Sequence, residues 1–313
     1  MNGQRLAWAT ALVLALVFVF IDSGLDLDYV IPKRLARLSA MVLGGVCVAC
    51  SAIAFQTLSN NRILTPAVMG YEAVYLLLQS VLVLGMGVQG AQLLGSAGNF
   101  AVSLLLMLGY SWALHRWLFR DGKCDVYFLL LVGLVLSLVM TTLTQFVQLK
   151  VSPGEFSMLQ GQTQASFHYT STPLLLGSAL LVAALCAVQA RSVRVLDVLA
   201  LGRDQAISLG VDHPRNVRLH LAVIAALVAI STSLLGPTAF MGVFVANITY
   251  AVAGTFRHRT TLVLGSVVAV AVFIAAQLLV EHVFNYRTTV GILVNLVCGT
   301  YFLALMVRNR GGA

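Results

Sequence analysis

Apolar runs long enough to cross a bilayer recur from one end of the chain to the other, and they leave few architectures open. They fall at roughly 6–21, 36–56, 66–86, 98–118, 125–147, 172–190, 217–235, 238–253, 260–281 and 288–307. A spanning helix needs about 20 mainly apolar residues, so ten such segments and their connections nearly use up the 313 residues. Charged residues make up 10% of the chain and hydrophobic ones 59%, against about 25% and about 45–50% in soluble domains. That excludes a water-soluble fold, disorder, a collagen-like chain and a disulfide scaffold. The reading is an all-α, polytopic helical membrane protein, a single transmembrane domain over 1–313. Its connections leave no room for a nucleotide-binding or other soluble catalytic domain. Any energy source or soluble receptor therefore belongs to a partner chain.

Nineteen Lys and Arg against eleven Asp and Glu give a net charge of +8. In a membrane protein this excess is read by position, as a contact with the lipid bilayer rather than with nucleic acid. With a cytoplasmic N-terminus, fourteen basic residues fall inside, among them Arg5, Arg62, Arg116, Arg191, Arg194, Arg203, Arg257 and Arg259. Five fall outside: Lys33, Arg34, Arg37, Lys150 and Arg287. The positive-inside rule selects N-in and C-in with ten spans, in the cell's inner (plasma) membrane. The apolar run from Leu6 to Ile21 looks like a signal peptide, but no small-residue cleavage site follows, so it reads as a retained first span. Five cysteines, four of them inside apolar runs, argue against a disulfide framework. The eighth run starts after Gly236-Pro237, where a helix cannot continue smoothly. It is either a half-span or a tightly turned hairpin partner of the seventh.

Enzyme chemistry finds little support. The six histidines are scattered, and Glu281-His282 are neighbours whose side chains diverge by about 100° on a helix. Cys47-x-x-Cys50 lies mid-span with no second pair, which is packing rather than a metal site. Gly85-Met86-Gly87 and Gly90 lack the Lys-Ser or Lys-Thr of a phosphate loop. Intramembrane Glu72, Gln145, Asn247, Gln277 and Asn295 serve either helix–helix hydrogen bonds or the lining of a wet passage.

Three polar stretches carry more information. Lys33, Arg34 and Arg37 form a basic group on the outer face, read either as interface anchoring or as a docking site for an acidic external partner. The outer loop 148–171, with a short helix, is polar without being charged: Met158, Gln160, Gln162 and Gln164, with Phe156, Phe167 and Tyr169, suit a bulky polar ligand in passage. The inner loop 191–218 contains two short amphipathic helices, 195–202 and 203–210, each ending at Gly, the residue preferred just past a helix end. Their apolar faces either pack on this protein's own spans or insert into a cytoplasmic partner.

At these positions the chain resembles a known family. Leu199-Ala200-Leu201-Gly202 and Ala206-Ile207-Ser208-Leu209-Gly210 look like the coupling loop of FecCD-type permeases, the membrane subunits of ATP-driven importers for iron-siderophores, haem and cobalamin. Gly236-Pro237-Thr238-Ala239-Phe240-Met241-Gly242 is similar to the family's Gly-Pro-Ile-x-Phe-Val-Gly, and Val290-Gly291 and Gly299-Thr300-Tyr301-Phe302 to its C-terminal elements. Arg34, Arg37, Gly45, Gln56, Asn61, Pro66 and Gly70 follow the family's order near the start, so the resemblance runs from about 31 to 307. Departures are Ala246-Asn247-Ile248-Thr249-Tyr250 for Pro-His-x-x-Arg, Arg203 for the coupling-loop Glu, Thr289 for the Pro before Val-Gly, and Asn61-Arg62 for Asn-Pro. Ile63 to Gly70 is reminiscent of permeases for catecholate siderophores.

The resemblance implies a permease subunit of an ATP-binding-cassette importer that takes up an iron-siderophore complex; cobalamin or haem are the alternative cargoes. An ion-coupled secondary transporter is the competing reading, with Glu72 its one qualifying acid. The implied partners are ABC ATPase subunits, a second permease that is a paralogue or an identical copy, and a periplasmic substrate-binding protein. No cofactor is implied for this chain; ATP and Mg belong to the ATPase. Leu199, Leu201, Gly202, Arg203, Ala206, Leu209 and Gly210 would couple to it, Arg34 and Arg37 would meet the binding protein, and Asp125, Val126 and Tyr127 would form an inner gate. Met158, Gln160, Gln162 and Gln164 would line the path.

Overall fold

The computed structural model describes residues 2–21, 28–118, 126–167, 172–238 and 240–310. Every regular element among them is helical. In chain order these are α1 (Asn2–Phe20), α2 (Val30–Leu58), a 3-10 turn (Pro66–Met69), α3 (Tyr71–Leu93), α4 (Gly95–Leu118) and α5 (Val126–Gln148). There follow α6 (Pro153–Thr163), α7 (Thr172–Arg191), α8 (Val193–Leu199), α9 (Arg203–Ser208), α10 (His213–Leu235) and α11 (Met241–Ala253). Last come α12 (His258–Leu278), continued by a π-helical turn (Leu279–Val283), and α13 (Val290–Arg310). Among the described residues seven helices are long and apolar enough to cross a membrane, and Tyr71–Gly87 of α3, Val290–Ala304 of α13 and the short helix α11 are apolar too. Each of the ten apolar runs thus overlaps a helix, and of these α11 is the short one at 13 residues.

Packing explains which helix sits where. Lipid tails are as apolar as leucine, so helices in a bilayer associate through close van der Waals fit, which small residues permit. Helix α2 carries Gly44, Gly45, Ala49, Ala52 and Ala54, all buried, and packs along α10 and α12. In α2 and α10 72% of the span is buried, whereas in α1 and α5 the figure is 17%. A Cβ on Gly45 would stand 3.0 Å from the backbone nitrogen of Val270, so α2 and α12 touch almost backbone to backbone.

Segments assigned to one side by their basic residues meet at one end of the bundle. Gln4 donates to the Ala253 carbonyl at 3.0 Å, and Asn247 and Gln56 both donate to the Arg62 carbonyl. At the other end Arg37 meets Glu281, and Ala165 lies against Gly236 and Gly291. The eighth run is the short helix α11. Gly236 takes φ +92°, and the chain there is closed over from outside by the outer loop: Ser166 donates its backbone N–H to the Leu235 carbonyl at 2.8 Å.

The third run differs from a continuous span over 66–86. Residues 66–69 form a 3-10 turn, Gly70 turns with φ +86°, and α3 starts only at Tyr71. The break is held by neighbours: Tyr110 donates to the Met69 carbonyl at 2.8 Å, and Gly133 of α5 lies so close that a Cβ would sit 2.9 Å from the Met69 Cα. Between the third and fourth runs the chain breaks twice: Gly87 departs from helical geometry with φ 68° before the helix resumes to Leu93, and Gly95 opens α4 with φ +65°.

Candidate functional site

At the basic end, the loop between α7 and α10 folds as the short pair α8 and α9. Gly202 and Gly210 follow these helices with φ +99° and +81°, a conformation open to a residue without Cβ. The pair has two faces of opposite character. Leu196, Leu199 and Ala206 are buried against the protein's own helices. Leu201, Ile207 and Leu209 are 52%, 50% and 63% exposed, an apolar tip with no cover among the described residues. Arg203, Asp204 and Gln205 are exposed beside it.

The pair is tied to the bundle by a contact that sequence reasoning missed. Asp197 of α8 accepts from the His258 backbone N–H at 2.8 Å, and its same oxygen meets His258 Nδ1 at 2.7 Å. The other ring nitrogen meets the Thr57 hydroxyl at 2.7 Å. One histidine thus joins α8, the start of α12 and the end of α2. A histidine opening a span just after a Gly-containing break, with an aspartate on a nearby amphipathic helix, was the available signal.

At the opposite end, the outer basic group is more engaged than a free docking patch. Arg34 donates to the Phe18 carbonyl at 2.7 Å and to the Ile21 carbonyl, satisfying the end of α1. Arg37 pairs with Glu281 at 3.2 Å, with the Glu281 side chain 6% exposed. Lys33 is exposed, bonded to the Tyr29 hydroxyl and stacked 3.8 Å above its ring centroid.

Helix α6 fills the outer loop. Ser152 caps it, accepting from the Glu155 N–H and donating to the Glu155 carboxylate at 2.7 Å, with Pro153 in the first turn. Leu159 anchors it against Val83 and Val151, while Met158 and Gln160 point outward. Gln164 lies half-buried beside Gly291. Of the aromatics read as ligand contacts, Phe167 is buried at 1% exposure against the Phe273 ring, 5.4 Å away edge to face, so it packs the core instead. Asp125 lies outside the described residues, as do His168, Tyr169 and Thr170, and so do the side chains of Val126, Tyr127 and Gln162. Among the described residues no group of three His, Cys, Asp or Glu is placed to hold a metal ion.

Between these ends, α5 exposes Leu131, Leu138 and Phe146 at about 60% each, a long apolar face beside the outer loop. Deep in the bundle, Glu72 in the first turn of α3 accepts the Thr238 backbone N–H at 3.0 Å. It thereby ties the broken third run to the broken connection between α10 and α11.

Known proteins carry the same organisation. The chain is 35% identical over 313 residues to the petrobactin import system permease protein YclO of Bacillus subtilis, covering 99% of this chain and 98% of that one. It is 30% identical over 284 residues to the petrobactin import system permease protein FatC of Bacillus anthracis, covering 90% and 79%. In fold it matches a solved structure described as a metal-chelate type ABC transporter in an inward-facing conformation, with TM-score 0.84, 16% identity and 98% of both chains covered. The FecCD transport family matches residues 7–308. With the short pair α8 and α9 at one end, the capped outer helix at the other and a sequence match along nearly the whole length, this chain belongs to the FecCD transport family.

Proposed function

We propose that this chain is a permease subunit that carries a ferric-siderophore complex inward, with ferric petrobactin the first cargo to test. The observation that supports this most is the 35% identity to a petrobactin permease over 99% of the chain. The permease works with a partner ATPase and a substrate-binding protein. The exposed apolar tip of Leu201, Ile207 and Leu209 is the surface a cleft in the ATPase would cover, with Gly202, Arg203 and Gly210 shaping it. The ATPase binds ATP and Mg and supplies the energy; Asp197 and His258 carry its movement from α8 into α12 and α2. A second permease, identical or a paralogue, would cover the apolar face of α5, and the passage would run along that seam. Met158, Gln160, Gln162 and Gln164 would form its outer lining, and the start of α5 at Asp125, Val126 and Tyr127 its inner gate. The binding protein would dock over Lys33, Arg34 and Arg37, where charge steers and orients rather than grips.

The test is uptake of labelled cargo by cells lacking and regaining this chain, with radio-iron ferric petrobactin, a radio-iron ferric hydroxamate, radio-iron haem and radio-cobalt cobalamin offered separately. Restored uptake of petrobactin alone supports the reading. Restored uptake of haem or cobalamin instead replaces the cargo. Uptake that survives ATP depletion and collapses with a proton uncoupler overturns the ATP-driven reading.

A further inference from the structure

A deep groove lies at the basic end, and none of the residues read as path or inner gate lines it. Its volume is about 1160 Å³, above the about 300–1,000 Å³ of most small-molecule sites. Helices α1 and α12 form one wall, α7 and α8 the other, and α2 the floor. The lining is apolar: Leu12, Val263 and Val267 stand in the walls and Val42 and Val46 in the floor, and Leu12 and Val263 are more than half exposed. From Arg259 to Val270 the lining runs along three turns of α12, about 16 Å at about 1.5 Å per residue. That is the depth of one leaflet of a hydrocarbon core about 30 Å thick.

The groove's rim has the opposite character. Arg191, Arg194, Arg257 and Arg259 all line it at the basic end, and all four are exposed. None of them has an ion pair or side-chain hydrogen bond among the described residues. The one acid in the lining, Asp197, is held by His258. Trp8 also lines the groove and is 53% exposed, the position an indole takes at a membrane–water interface.

We propose that this groove binds one anionic phospholipid of the inner leaflet, its acyl chain along α12 and its phosphate among the four arginines. An apolar slot one leaflet deep calls for a chain, and a rim of unpaired guanidinium groups calls for a negative headgroup. A free anion would leave the slot unfilled, and a zwitterionic lipid would leave the net charge of the rim unanswered. The bound lipid would lie against Val193 and Arg194 of α8, beside the coupling pair. The inference does not depend on the cargo.

The experiment is native mass spectrometry of the full chain in detergent, offered equal amounts of phosphatidylglycerol and phosphatidylcholine with the same acyl chains. The wild type should retain phosphatidylglycerol over phosphatidylcholine by about fivefold or more, the ratio given by one basic side chain at an anionic leaflet. The variant R191Q/R194Q/R257Q/R259Q should lose that preference. Ala190, exposed on the α7 wall, offers an independent test, since Ala190→Trp fills the slot with the arginines intact and should lower retention of both lipids. Equal retention of the two lipids by the wild type overturns the proposal. So does an unchanged preference in the glutamine variant, or full retention by Ala190→Trp. Displacement of phosphatidylglycerol by glycerol phosphate alone would also overturn it, making the rim a site for soluble anions.

Discussion

One oxygen of Asp197 receives both the backbone N–H of His258, at 2.8 Å, and its ring Nδ1, at 2.7 Å. Helix α8 is therefore fixed to the first residue of α12 by two hydrogen bonds to one carboxylate oxygen, while the rest of α8 packs through leucines. Hydrogen bonds to a charged group are worth about 1.5–3 kcal/mol. Asp197→Ala should thus loosen α8 by about 2 kcal/mol, roughly thirtyfold in its local opening equilibrium, and lower transport per ATP hydrolysed without releasing the ATPase. Asp197→Asn, which keeps an acceptor, should fall between. Hydrogen exchange of the α8 amides reads the loosening directly; unchanged exchange in Asp197→Ala would show that the leucines alone hold the helix.

Glu72 distinguishes the two energy sources. Its carboxylate accepts the Thr238 N–H at 3.0 Å, where two broken segments meet inside the bundle. A glutamine oxygen can take the same bond, so Glu72→Gln should keep both fold and uptake. Glu72→Leu leaves a buried N–H unpaired, at a cost of about 1–3 kcal/mol, seen as a lower melting temperature. Were Glu72 a proton carrier, Glu72→Gln would abolish uptake while the protein stayed folded, and the ion-coupled mechanism would return.

Gly133 and Gly44 both sit where a Cβ collides, but with different neighbours. At Gly133 the obstacle is the Met69 Cα, 2.9 Å away, and at Gly44 it is the tip of the Leu235 side chain, 2.0 Å away. A side-chain tip can rotate, whereas the 3-10 turn at Met69 is pinned by Tyr110. Alanine gains about 0.5–1 kcal/mol of helix preference over glycine, against about 1–3 kcal/mol for overpacking. Gly133→Ala should therefore melt below the wild type, and Gly44→Ala should lose less. The reverse order would mean that α5 can slide off the turn.

Much of this was legible in the sequence because a bilayer asks for one thing, a run of apolar residues, and the ten runs supply it. The pair at 195–210 was legible for a second reason: Gly202 and Gly210 mark helix ends by conformation, not by contact. What escaped were the places where distant segments meet. The 3-10 turn at Pro66–Met69 is as apolar as a span, and the break at Gly70 is held by Tyr110 and Gly133 from distant helices. Phe167 reads as a loop aromatic until Phe273 is seen beneath it. His258 was one of six scattered histidines until Asp197 and Thr57 stood on either side. The Arg34 and Arg37 pattern could be seen, but not that Phe18 and Glu281 compete for their guanidinium groups.

That competition gives the last test. Arg37 meets Glu281 at 3.2 Å, with the arginine side chain 26% exposed and the glutamate 6%. Gln277 also donates to Glu281, at 2.5 Å, so the carboxylate keeps a partner if the arginine leaves. If the binding protein brings a carboxylate to Arg37, it must take the guanidinium from Glu281. Glu281→Gln should then strengthen docking, by about twofold to fivefold for an ion pair of about 0.5–1 kcal/mol near the surface. Arg37→Gln should weaken docking and also lower the melting temperature, because it strips a nearly buried carboxylate of its counter-charge. Both docking effects should fade as salt shortens the reach of the charges. Binding of the purified binding protein to the complex, measured at low and high salt, separates the cases. Docking that ignores Glu281→Gln and Arg37→Gln alike would leave the pair a purely structural clasp between α2 and the turn after α12.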